Sequence, residues 1–285
     1  MRRRAQPWLG TLVEVTLAQG LADADADAAI ATAFERVALV HRLMSFHETG
    51  SDVSRFNRAQ AGEVLAVHPL TWQVLKLASE IAEASERAFN VACAPNLVAW
   101  RLLPAPAVGG PTFVPGVAVY SCEEDGQVRK LAPAWIDLGG IAKGFAVDCA
   151  VEALQAAGAL AGCVNAGGDL RAFGPLAFPV LVRAPHDPRR FSESLQLRDR
   201  AMATSAGYFS RGSVAGRTVS ALVDGRDGAA IVDTVSATVS ATRCAVADAL
   251  TKVVLATRDP GHPALAAFGA DVMLRCHSPQ SHNDA

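Results

Sequence analysis

IDLGGIAKGFAVD, residues 136–148, is the stretch on which the fold turns. An apolar, strand-like lead-in around Trp135–Asp137 meets two glycines, and a helix is expected from about Ile141 to Ala157. The glycines let the backbone pass close to a ligand. The helix N-terminus offers unpaired N–H groups and the positive end of the dipole, with Lys143 in its first turn. Such a turn suits a phosphate, although the spacing is neither GxxxxGK[ST] nor GxGxxG. A Gly-rich turn with a solvated lysine is the alternative, and the stretch alone leaves both open.

C-terminal to it, a short strand (Gly162–Val164) runs into NAGGDLRAFG, 165–174. Gly167 and Gly168 suit the positive φ of a hairpin turn, with Asp169 and Arg171 expected in solvent. Further strands are expected at Phe178–Val182, Val219–Val223 and through VSATVSAT (235–242), which alternates with period two. A last long helix, Cys244–Ala256, places Asp248, Thr251 and Lys252 on one face. That trio is either an i,i+4 pair worth roughly 0.3–0.5 kcal/mol or a carboxylate for a hard cation with phosphates. N-terminal to the opening stretch, LVEVTL (12–17) reads as a strand and 22–46 as a helix. His47 to Gly62 reads as a polar loop, Pro69–Arg87 as an amphipathic helix and the Pro-rich 103–118 as an irregular connection. Strands and helices without strict βαβ alternation indicate an α+β fold.

The 285 residues carry 26 Lys+Arg against 28 Asp+Glu, 51% hydrophobic residues and a mean hydropathy of +0.22. This excludes the disordered regime and gives no basic stripe for nucleic acid. No apolar run reaches the roughly 18–20 residues of a membrane span; the richest, Phe145 to Val164, is broken by Asp148, Glu152 and Gln155 and reads as a buried soluble helix. The six Cys form no CxxC and no metal spacing with His, which fits a reducing compartment. MRRRAQPWLG has the charge of a leader without its apolar region, so cytoplasm is the expectation. Residues 1–276 are expected to form one domain, with 277–285 a disordered tail.

Taken in order, several segments resemble the FAD:protein FMN transferases, the ApbE family. They are LGT (9–11), MSFHETGSDVSRFN (44–57), AFNVACAPNLVAW (88–100), IDLGGIAKGFAVD, VNAGGDLRAFG (164–174), ATSAGY (203–208) and VADALTK (246–252). The resemblance covers roughly residues 9–256. It implies an ApbE-like, T-fold-type α+β architecture with mixed or antiparallel sheets and packed helices. It also implies a Mg²⁺-assisted transfer of FMN from FAD to a Ser or Thr hydroxyl of an acceptor protein, with AMP released.

By the same resemblance, Leu9, Ala88, Phe89, Asn90, Asp137, Lys143 and Leu222 would lie against FAD, and His47 would stand where the family has a stacking Tyr. Asp248 and the Gly140 carbonyl would hold Mg²⁺, with Asp248 and Lys252 at the chemistry. The chain departs from the pattern where the family's Thr is Lys252, where an acidic ligand one turn before Asp248 is Ala245, where HIIDP reads ALVDG (221–225), and where FD reads Phe89-Asn90. A flavin-nucleotide binder without turnover and an FAD pyrophosphatase are the alternative functions. DTVSATV (233–239) starts like an acceptor sequence, but its strand-like alternation argues for a structural role.

Overall fold

The structure, a computed structural model, describes residues 1–275 apart from 108, 185–186, 208–210 and 233–234, and without the side chains of 125, 183–192, 211 and 273–275. Two antiparallel strands, β1 (Arg2–Trp8) and β2 (Thr11–Gln19), precede the long helix α1 (Asp23–Met44). Helix α2 (Asp52–Arg58), strand β3 (Val64–Ala66), helix α3 (Pro69–Ala84) and the short α4 (Ala94–Ala99) follow. Then come β4 (Tyr120–Cys122), β5 (Gln127–Lys130) and α5 (Ala142–Ala156). The strands β6 (Ala161–Ala166), β7 (Asp169–Phe173), β8 (Phe178–Ala184), β9 (Asp187–Leu197), β10 (Ala201–Ala206), β11 (Arg211–Val214), β12 (Arg217–Ser220) and β13 (Ser236–Ala241) lead to α6 (Cys244–Thr257), α7 (Pro263–Ala267) and β14 (Asp271–Arg275).

Seven strands form one antiparallel sheet in the order β1-β2-β6-β7-β10-β13-β14, beside the small sheet β3-β5-β4 and two ribbons, β8-β9 and β11-β12. Helix α6 packs on β10 and β13, α5 packs on α6, and α1 covers α5. Every residue of α6 from Cys244 to Leu255 is buried. A helix apolar on all sides belongs inside a core, and α6 is the centre of this one. The expected α+β class is therefore the observed one.

Several expectations need correction. The polar segment 47–62 contains α2, whose N-cap Ser51 accepts the Ser54 N–H at 3.0 Å. A serine cap satisfies a free N–H of the first turn. Trp135–Asp137 is extended but joins no sheet; Asn57 of α2 clasps it instead, donating to the Ile136 carbonyl at 3.0 Å and accepting the Ile136 N–H at 2.8 Å. The apolar stretch Phe145–Val164 is helix only to Ala156; after the turn at Gly158 it becomes β6. Strand β1 went unread because its mostly exposed side chains show no buried face. Arg2, Arg3 and Arg4 instead pair with Asp23, Glu14 and Asp27 along the sheet edge, where charge is the usual composition. The 277–285 tail and Tyr208 of ATSAGY lie outside the described residues. DTVSATV lies partly outside them, and its part from Ser236 on is β13, between β10 and β14.

Candidate active site

Two close approaches build the site. The first joins α5 to α6. A Cβ placed on Gly144 would lie 2.3 Å from the Cys244 carbonyl oxygen, so only glycine permits this contact. The N-terminus of α6 has no cap of its own, since Arg243 makes no capping bond. Asp148 of α5 supplies one. Its Oδ1 accepts the Cys244 N–H at 2.9 Å, its Oδ2 accepts the Ala245 N–H at 3.0 Å, and Arg171 donates to Oδ1 at 2.9 Å. The second approach is the β6–β7 hairpin, where Gly167 and Gly168 take φ of +64° and +105° as the tight turn requires. That turn delivers Asp169 to the α5 N-terminus.

At their meeting point lie four charged side chains. Lys143 bridges Asp169, by a short contact, and Asp248 Oδ2 at 3.3 Å. Asp248 Oδ2 also accepts the Gly144 N–H at 3.1 Å. The helix N-terminus read as a phosphate cradle therefore gives this N–H to a carboxylate. Lys252 pairs with Asp248 Oδ1 and donates to the Asp248 carbonyl at 2.9 Å. Asp248 is 0% exposed, Asp169 3% and Lys252 9%. The trio on α6 is thus no solvated pair, and Asp169 and Arg171, expected in solvent, are both engaged in ion pairs.

The electrostatics follow from burial and pairing. Burial would push the Asp248 carboxyl up, but Lys143, Lys252 and the Gly144 N–H outweigh it and hold it below the usual carboxylate range. Burial and then the Asp248 charge push Asp169 up to about 6, against the pull of the two lysines. Burial would lower Lys143, yet the two carboxylates hold it above the ordinary lysine value. Asp137 is raised by burial, opposed by the Gly139 N–H and the charge of His47.

The cluster borders a cavity of about 350 Å³ whose wall includes Phe89, Asp137, Gly140, Lys143, Leu222 and Lys252. Asn90 also lines it while capping the turn at Val91: its Oδ1 accepts the Ala92 N–H at 2.9 Å and its Nδ2 donates to the Gly225 carbonyl at 3.2 Å. Of the other expected residues, Ala88 is fully buried behind Phe89 in sequence, its carbonyl accepting the Gly225 N–H. Leu9 is half-buried at φ +57°, and His47 is exposed; neither is part of the cavity wall. A larger groove of about 1180 Å³ between α3 and β4 shares Asn90 and Val91 with this cavity but has none of the four clustered charges.

Gly140 stands at the cavity wall where a Cβ would come within 3.3 Å of Phe89 and 3.6 Å of Lys252. A divalent ion at Asp248 and Gly140 would have to displace ammonium groups, because both Asp248 oxygens are already taken. Among the described residues no three His, Cys, Asp or Glu converge as ligands. The donor set in this arrangement does not fit Mg²⁺, which takes one or two free carboxylates beside its waters. The described cysteines are all free thiols, as expected; burial pushes Cys93, Cys149 and Cys163 up to about 12. No helix among the described residues is long and apolar enough to cross a membrane.

Asn57, Asp148 and Asp169 are the site-building residues that sequence reasoning passed over. Asp148 had one signal, a lone carboxylate inside the apolar AVDCAVEAL; Asn57 had none locally.

Known proteins share this arrangement. A curated FAD:protein FMN transferase of Vibrio cholerae is 28% identical over 265 residues, covering 86% of this chain and 78% of that protein. One from Rhodobacter capsulatus is also 28% identical, over 283 residues, and there the chain spans only about half (53%) of the relative's length. The crystal structure of the ApbE protein of Thermotoga maritima matches with a TM-score of 0.82 at 23% identity, over 96% of this chain and 93% of the other. A mutant form of the Vibrio cholerae flavin transferase ApbE matches at 0.81 and 25% identity, over 98% and 95%. The ApbE family model matches residues 9–274, nearly the whole described chain, and the chain belongs to the ApbE family.

Proposed function

We propose that residues 1–276 act as one domain that transfers the FMN half of FAD to a Ser or Thr hydroxyl of an acceptor protein, releasing AMP. The observation that carries this is the Lys143–Asp248–Lys252–Asp169 cluster at the wall of a cavity that also offers Phe89 and Leu222. It stands in a chain whose curated relatives are named FAD:protein FMN transferases. The apolar side chains suit the isoalloxazine ring, and the ammonium groups suit the pyrophosphate. Leu9, Ala88 and His47 belong, in this reading, to the scaffold and rim around the flavin, since none of them is part of the cavity wall.

Phosphoryl transfer asks a protein mainly to position the groups and to neutralise charge. The acceptor oxygen attacks the phosphorus on the riboflavin side, forming the new phosphoester. The bond from that phosphorus to the bridging oxygen breaks, and AMP leaves with the bridging oxygen. Lys143 and Lys252 face the developing negative charge. Asp137 takes the hydroxyl proton: it lines the same cavity, no Lys or Arg pairs with it among the described residues, and burial raises its basicity. No step is routed through Mg²⁺, for the reason given by the Asp248 contacts.

The test is intact mass of an acceptor protein carrying an Asp-x-x-Ser/Thr-type motif after incubation with this chain and FAD. Transfer adds one FMN less one water and releases AMP. AMP and free FMN without that adduct would instead mean a pyrophosphatase. The closed Lys252–Asp248 pair favours one second reading, flavin binding without turnover; fluorescence quenching of FAD with neither adduct nor AMP would establish it.

A further inference from the structure

We propose that the Lys252 ammonium is a built-in cation, standing where a divalent metal would otherwise be needed, so that this chain engages the FAD pyrophosphate without a metal ion. The inference rests on the reading of the cavity as an FAD site.

Lys252 leaves α6 four residues after Asp248 and folds back on it, so one ammonium holds both the Oδ1 and the main-chain carbonyl of that residue. Lys143 holds the Oδ2 together with the Gly144 N–H. Asp248 therefore presents no open coordination position, and it cannot turn to find one, being fully buried. Thr251, the neighbouring hydroxyl, is committed to Ser205 Oγ at 2.8 Å and to the Asp248 carbonyl. Ala245, one turn earlier on α6, brings no second carboxylate. A divalent ion entering beside Lys252 and Lys143 would meet two positive charges within a few ångströms.

The cluster nevertheless keeps what an anion needs. An ammonium carries three donors. Lys252 uses two on Asp248, and Lys143 uses two, on Asp169 and Asp248. Each lysine lines the cavity, so each has one donor left for a ligand there. Two lysines against two carboxylates make a neutral cluster, and the attraction for a pyrophosphate lies in those two directed donors rather than in net charge.

Two measurements test this. FAD affinity is read by fluorescence quenching in EDTA and in excess Mg²⁺, for the native chain and for Lys252→Thr. The native dissociation constant is expected to agree within twofold between the buffers, and the variant to tighten at least tenfold with Mg²⁺. A tenfold Mg²⁺ effect on the native chain, or none on a folded variant, overturns the proposal. Binding of Mn²⁺ to the native chain without FAD, followed by its paramagnetic resonance signal, decides independently of whether the variant folds. No stoichiometric site is expected, and one bound Mn²⁺ lost on adding Asp248→Asn refutes the proposal. If the native chain binds FAD in neither buffer, the reading of the cavity as an FAD site has failed. The Mn²⁺ result then still decides whether Lys252 closes the metal position.

Discussion

Replacing Asp148 by Ala removes the only side-chain cap that α6 receives at its N-terminus, and the consequence can be worked from the contacts. Asp148 is 1% exposed and accepts from two first-turn N–H groups of α6 and from Arg171. Hydrogen bonds to a charged group contribute about 1.5–3 kcal/mol each, and stripping one partner from a buried ion pair costs about 3–5 kcal/mol. These overlap, and Arg171, with 20% of its side chain exposed, keeps some water. A loss of about 3–5 kcal/mol is therefore expected. Asp148→Asn keeps one accepting oxygen and the shape, so roughly half that loss is expected. The assay is urea unfolding followed by the fluorescence of the four tryptophans, with the m-value checked for constancy. FAD affinity should fall in parallel, because the capped turn fixes the register of Asp248 and Lys252. A loss under about 1 kcal/mol for Asp148→Ala would refute the interhelical cap as the element that fixes α6.

Gly144→Ala should destabilise by more than about 2 kcal/mol, since its Cβ meets backbone atoms of Cys244 and Ala245 that cannot rotate away; thermal melting measures it. Gly168→Ala, with no atom within 4 Å of the new Cβ, should cost only its φ strain of about 1–2 kcal/mol. Asn57→Ala strands two buried main-chain groups of Ile136, so about 2–3 kcal/mol is expected, together with weaker FAD binding through the displaced Asp137. Asp169 gains a proton as pH falls through about 6 while Asp248, held low, stays charged. The cluster then goes from neutral to a net positive charge, and a unit charge at about 6 Å acts with about 2–3 kcal/mol before screening. FAD should bind roughly three- to tenfold more tightly at pH 5 than at pH 7.5, and Asp169→Asn should remove that step.

Local order was legible wherever one segment carried its own pattern. The helices α1, α3, α5 and α6 followed from apolar spacing, and the β6–β7 turn from two adjacent glycines that alone tolerate its φ values. Helix α2 was missed because its polar residues are buried by tertiary partners: Asp52 by the His68 N–H and Thr71, Asn57 by Ile136. Nothing in HETGSDVSRFN announces those partners, which come from other elements.

The site divides the same way. Chain order and residue type placed Asp137, Lys143, Asp248 and Lys252 as candidates, because glycine pairs, a lysine in a first turn and a carboxylate on an apolar helix are local facts. The tertiary structure decided their state. Whether Asp169 sits in water or beside Lys143 depends on where a hairpin tip lands, and whether Asp248 is open to a cation depends on which ammonium groups reach it. These are contacts between residues as far apart as 143 and 248, set by the close α5–α6 approach at Gly144 and by burial that makes every unpaired charge costly.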